Sequence, residues 1–124
     1  MAKVLLLAED SEDLILNKLI LERHGYEHLT ASTPEDALFH LQNSDVDVLY
    51  IVELYWSQFD GVEFYRQLKT DPELCGIPVI IYTPRVLSDI SPNPTDYGDT
   101  VFVMPLEIGK LVAKVKELTD KRDE

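Results

Sequence analysis

Three short runs of nearly unbroken apolar residues constrain this chain most: KVLLLA at 3–8, VDVLYIVEL at 46–54 and PVIIYT at 78–83. Continuous runs of this length fit strands buried on both faces, whereas a strand with one wet face alternates apolar and polar residues. The middle run, rich in β-branched and aromatic residues, is the most strand-like of the three. Helical segments lie between the runs. Ser11 can cap a helix running to about His24, and Gly25 stands where a C-terminal glycine belongs. Residues 26–31 read as a further strand. Thr33-Pro34 starts a second helix, with a hydroxyl at the cap, proline at the first helical position and Asp36 three residues after the cap; it should end near Asn43.

Asp60-Gly61 marks a turn into a helix over 62–70. Residues 101–104 form a short last strand, and 107–119 a last helix. In that helix Ile108, Leu111, Val112, Val115 and Leu118 recur on one face, against a sheet. Strands alternating with helices predict an α/β fold, a parallel sheet covered on both faces. In such folds the functional crevice lies at the carboxyl ends of the strands. That directs attention to Glu9-Asp10, the segment from Glu53, Thr83, and Met104-Pro105. One stretch breaks the rhythm: prolines at 84, 92 and 94 prevent a regular helix between Thr83 and Val101, leaving at most one short turn and an irregular loop.

The 124 residues make one domain, over 1–124, large enough for a core. Asp and Glu number 23 against 11 Lys and Arg, a net charge of −12. Such a surface argues against nucleic acid and against anionic membranes as partners. Cys75 is the single cysteine, so an intrachain disulfide is excluded, which suits a reducing, cytoplasmic setting. The first apolar run is too short for a signal peptide or a membrane span. His24, His28 and His40 lack metal-ligand spacing, and the last residues, 120–124, read as a frayed charged tail.

In order and spacing, KVLLLAED, ERHGYEHLTASTPEDAL, VLYIVEL followed by FDG, IPVIIYT, and MP before the last helix together resemble the receiver domain of bacterial two-component response regulators, end to end. The resemblance implies a doubly wound five-stranded parallel sheet in the order 2-1-3-4-5, here with its fourth helix region shortened or irregular. It also implies roles. Glu9 and Asp10 match the acidic pair that holds Mg²⁺. Glu53 stands at the phosphoryl-accepting aspartate, counted back from Asp60-Gly61. Thr83 matches the hydroxyl that bonds the phosphoryl group, and Met104, followed by Pro105, stands at the lysine that pairs with it.

Two chemical positions therefore depart from the family pattern. Glu53 is one methylene longer than aspartate, which displaces its carboxylate by roughly 1.5 Å; misplacement by about 1 Å costs on the order of a hundredfold in an oriented reaction. Met104 has no charge to offset the developing phosphoryl charge. The resemblance is thus to an atypical, pseudo-receiver. It is expected to act as a phosphorylation-independent interaction module rather than an enzyme, with no cofactor required and Mg²⁺ weak at Glu9 and Asp10. The alternative is a weakly active receiver that binds Mg²⁺ and accepts a phosphoryl group at Glu53. A small α/β enzyme or nucleotide-binding protein fits least, because EDSEDL after the first strand has no glycine to admit a phosphate.

Three carboxylates without a lysine should repel, by roughly 4 kcal/mol for a pair about 4 Å apart at an effective dielectric of 20. A bound cation, a proton on one carboxyl, or Glu53 swinging outward is the expected relief. A glutamate here also reads as a fixed partial mimic of phosphorylated aspartate, provided Thr83 turns inward towards it. Partners are expected to be signalling proteins, a histidine kinase or another regulator, or a second copy as a homodimer. Candidate contact residues are Leu14 and Ile15 on the first helix, whose apolar residues cover more than one stripe, Tyr55 and Trp56 in the loop beside Phe59, and Phe102.

Overall fold

The structure is a computed structural model that describes residues 3–84, 93–103 and 108–123, the last three as backbone alone. Five strands, β1 (Lys3–Ala8), β2 (Glu27–Ala31), β3 (Val48–Val52), β4 (Val79–Thr83) and β5 (Thr100–Val103), form one sheet in the order β2-β1-β3-β4-β5, every pair parallel. Four helices connect them: α1 (Ser11–Arg23), α2 (Pro34–Asn43), α3 (Gly61–Thr70) and, after β5, α4 (Ile108–Asp123).

The uninterrupted apolar runs are explained by what covers the sheet. Alternate residues of a strand point to opposite faces. Leu5, Leu7, Leu49 and Ile51 pack on one side with Ala37 and Leu41 of α2 and Phe64 and Leu68 of α3. Val4, Leu6, Val48 and Tyr50 pack on the other with Leu21 of α1 and Leu111 and Val115 of α4. Both faces are dry, so both sets are apolar. The Tyr50 hydroxyl stays inside by donating to Asn17 Oδ1 at 2.7 Å.

Several boundaries differ from the sequence reading. Asp10, not Ser11, caps α1: its carboxylate accepts from the backbone N–H of Glu12 and Asp13. β3 ends at Val52 because Glu53 turns off the strand with φ 71°. Residues 120–123 of the charged stretch are helical rather than frayed, since α4 continues to Asp123, helped by a Lys116–Asp120 ion pair one turn apart; Glu124 lies outside the described residues. Ile108, at the start of α4, is 52% exposed rather than packed on the sheet. Residues 85–92 and 104–107 lie outside the described residues, and with them Met104 and Pro105. The described part of the proline-rich connection is a single 3₁₀ turn, Pro94–Tyr97, closed by Gly98 at φ 75°.

At the amino ends of β4 and β5 lies a buried ionic network. Lys69 Nζ is 2.8 Å from Asp99 Oδ2, with the two side chains 3% and 4% exposed. Lys69 also donates to the carbonyls of Ile77 and Cys75. Asp99 accepts from the Val79 N–H and the Tyr65 hydroxyl. Burial first, and the Asp99 bond next, raise the Tyr65 pKa, so this hydroxyl remains a donor. The network ties α3 to the entry of both strands. Among the described residues no helix is long and apolar enough to cross a membrane.

Candidate functional site

The carboxyl ends of β1, β3 and β4 deliver Glu9, Asp10, Glu53 and Thr83 to one end of the sheet, as the strand order requires. The loop from Glu53 to Gly61 shapes the site. Glu53 occupies the left-handed region, which costs a residue with a side chain roughly 1–2 kcal/mol. Its backbone N–H donates to Tyr82 O at 2.7 Å, keeping the turn attached to β4. Its Oε1 accepts from Thr83 Oγ1 at 2.9 Å and from the backbone N–H groups of Leu54 at 2.9 Å and Tyr55 at 3.2 Å. The strained backbone and the inward carboxylate are one arrangement: the turn aims two successive amides and the threonine hydroxyl at a single oxygen.

The far end of the loop is fixed by Asp60 and Gly61. Asp60 caps α3 through the Glu63 N–H and bridges back to Tyr55. A Cβ on Gly61 would lie 2.1 Å from the Leu54 carbonyl oxygen, so only glycine allows the helix start to approach the loop this closely.

The acidic pair is held separately. Glu9 accepts from the Ser57 N–H at 2.9 Å, the Ser57 hydroxyl at 2.8 Å and the Gln58 N–H at 3.1 Å. The Ser57 amide, and then its hydroxyl, hold the Glu9 carboxyl below the usual carboxylate range, against the opposing effect of burial. Asp10 is the α1 cap. The Asp13 carboxyl is pushed above its ordinary value, by burial first and then by the charges of Asp10, Glu12 and Glu53. Asp13, in the first turn of α1, thus feels the charges of the strand-end carboxylates, a coupling that strand-end reasoning misses. A polar cavity of about 480 Å³ opens between Glu9, Asp10, Ser32, Thr33, Ser57 and Phe59.

Of the anticipated reliefs of repulsion, the outward swing of Glu53 is not the one taken. Glu9 and Glu53 each have three neutral donors, and Glu53 turns in towards Thr83 rather than out. The same bonds bear on Mg²⁺. A hard cation needs converging oxygens, but both Glu9 oxygens and Asp10 Oδ1 already accept from the chain. Among the described residues no three or more His, Cys, Asp or Glu side chains are grouped to hold a metal. As arranged, the carboxylates do not fit the ion.

Of the contact candidates, Ile15 is 59% and Tyr55 44% exposed. Leu14 and Phe102 instead pack, partly buried, against the core that contains Leu6 and Tyr50: Leu14 from the sheet-facing side of α1, and Phe102 from β5 within the sheet itself. Trp56 packs against the opposite core beside Phe64, with ring centroids 6.0 Å apart. Its indole N–H is buried without a partner, so it is a loop filler rather than an exposed anchor.

No family model matches the sequence. The chain is 30% identical over 117 residues to the heme response regulator HssR of Staphylococcus saprophyticus, covering 94% of this chain and 50% of that protein. It thus spans about half the length of that curated relative. Protein PilH of Pseudomonas aeruginosa is 28% identical over 85 residues, 68% of this chain and 69% of PilH. The solved CheY-like receiver domain protein of Methanospirillum hungatei superposes with a TM-score of 0.84 at 22% identity, over 99% of this chain and 97% of that one.

Proposed function

The chain is a receiver domain of the response-regulator type, and from that premise we propose that it works as a phosphorylation-independent interaction module, held in one state by Glu53. The observation that carries this reading is the 2.9 Å bond from Thr83 Oγ1 to Glu53 Oε1, made from a left-handed Glu53 backbone. The hydroxyl that would otherwise bond a phosphoryl group is already engaged, as are the two amides that follow Glu53. The carboxylate occupies these donors permanently. It carries one charge where a phosphoryl group carries about 1.5 to 2, so it is a partial mimic whose value lies in fixing the loop. No catalysis and no cofactor enter this function. The output passes to a signalling protein that reads the surface.

Incubation with acetyl phosphate and Mg²⁺, followed by intact-mass measurement, is expected to leave the chain unmodified. A stable added phosphoryl group on Glu53 would overturn the proposal in favour of a weakly active receiver. Glu53→Ala, which removes the bond from Thr83 Oγ1 to Glu53, should weaken binding to the signalling partner, and Thr83→Ala should do the same.

A further inference from the structure

Helix α1 has two apolar faces, and only one of them meets the sheet. Asn17 and Leu21 are buried and Leu14 packs on the core. On the opposite side Leu16 and Leu19 are 59% and 51% exposed, in line with the exposed Glu12 and Arg23. At 3.6 residues per turn, Glu12, Leu16, Leu19 and Arg23 fall within a stripe about 60° wide. Ile15 and Ile20 flank it, and the exposed Ile108 of α4 widens it into an apolar groove of about 590 Å³. Single exposed leucines are ordinary; a continuous stripe on one helix, closed by a second helix, is not.

The order of residues along the stripe indicates what covers it. A two-fold axis through the middle of α1 sets a second α1 antiparallel to the first. Leu16 then meets Leu19 of the second copy and Glu12 meets Arg23 of the second copy, while Ile15, on one side of the stripe, falls beside Leu19 of the second copy and Ile20, on the other side, beside Leu16 of the second copy. The stripe is complementary to itself in both apolar content and charge, which is what an isologous contact requires. Among the described residues neither Glu12 nor Arg23 is engaged in an ion pair, whereas the neighbouring Glu22 reaches His28. A parallel pairing would set Glu12 against Glu12 and Arg23 against Arg23.

We infer that this face is a homodimer interface built from antiparallel α1 helices, with Glu12–Arg23 pairs at its two ends. This rests on the helix surface and does not depend on the state of Glu53. One helix face per copy is a small interface, so the dimer is weak and concentration-dependent. At physiological salt the repulsion between two acidic chains is screened beyond about 8 Å, while the close cross-pairs keep most of their attraction.

Sedimentation velocity across a concentration series, up to the millimolar range, reads the equilibrium. The parent chain should dimerise, and Glu12→Arg or Arg23→Glu alone should each weaken association about tenfold or more by placing like charges together. An equimolar mixture of these two single variants should restore association, because each then supplies what the other lacks. The double variant Glu12→Arg/Arg23→Glu should restore it also. Leu16→Ala/Leu19→Ala should abolish the dimer while leaving the melting curve of the dilute chain unchanged, which separates loss of contact from loss of fold. A parent chain that stays monomeric throughout would overturn the inference. So would a dimer that the mixture of single variants fails to restore, or a stripe that binds a helix of another signalling protein and never a second copy.

Discussion

The two ends of the sheet handle charge in opposite ways. At the amino ends of β4 and β5 a lysine and an aspartate are buried together, with Tyr65 and the Val79 amide completing their shells. At the carboxyl ends several carboxylates gather, and their donors are backbone amides and hydroxyls. A buried charge must find an opposite charge. An exposed or half-buried one can be held by neutral N–H and O–H groups, at the cost of bending the loop to aim them. The amino end therefore acts as a clamp and the carboxyl end as a shaped surface.

The contrast is sharpest in stability. Lys69→Met leaves Asp99 charged and buried without its cation, and should lower unfolding free energy by about 3–5 kcal/mol. Urea unfolding measures this, and the double variant Lys69→Met/Asp99→Leu should recover much of the loss. Next comes Gly61→Ala, whose Cβ would collide with the Leu54 carbonyl. Overpacking of this kind costs about 1–3 kcal/mol, and the shift should be visible in the amide spectra of the Glu53–Gly61 loop while the amino end stays unchanged. Smaller again is the strain at Glu53. Glu53→Gly should be more stable than Glu53→Ala by about 1 kcal/mol, since only glycine tolerates the left-handed turn freely; equal stabilities would mean that the turn relaxes once the carboxylate is gone.

The smallest effects appear with pH and have opposite signs. Glu9 has a folded-state pKa below its ordinary 4.5, so its contribution is present above that value and lost as pH falls through the lower, folded one. Asp13 has a folded-state pKa above its ordinary 3.8, so it costs stability as pH rises beyond that value. Glu9→Gln should therefore lower neutral-pH stability and flatten the acid limb, while Asp13→Asn should raise neutral-pH stability. Thermal melts between acid and neutral pH distinguish the two.

How much of this was legible in the sequence follows from the range of the interactions. Both faces of the sheet are dry, so β1, β3 and β4 announce themselves as apolar runs, and the strand order follows from resemblance. The strand-end positions of Glu9, Asp10, Glu53 and Thr83 are legible for the same reason. The choice of Asp10 over Ser11 as cap is not, because adjacent residues both carry a capping oxygen and the loop geometry decides. The Lys69–Asp99 clamp joins residues thirty positions apart, and a lysine on a helix reads as solvated until its partner is placed in space. The inward turn of Glu53 depends on a left-handed backbone that β-branched neighbours disguise as more strand. Ile108 fits the apolar period of α4 and is nonetheless exposed, since it lies at the helix start.

NMR amide spectra of the chain, recorded before and after adding Mg²⁺ with acetyl phosphate, test the fixed loop most directly. With Glu53 holding the Thr83 hydroxyl and the amides of Leu54 and Tyr55, those resonances are expected to stay in place and the Thr83 hydroxyl proton to remain slow to exchange. Movement of the Leu54, Tyr55 and Thr83 signals on adding both reagents would contradict it, because the donors would then be free to take a phosphoryl group.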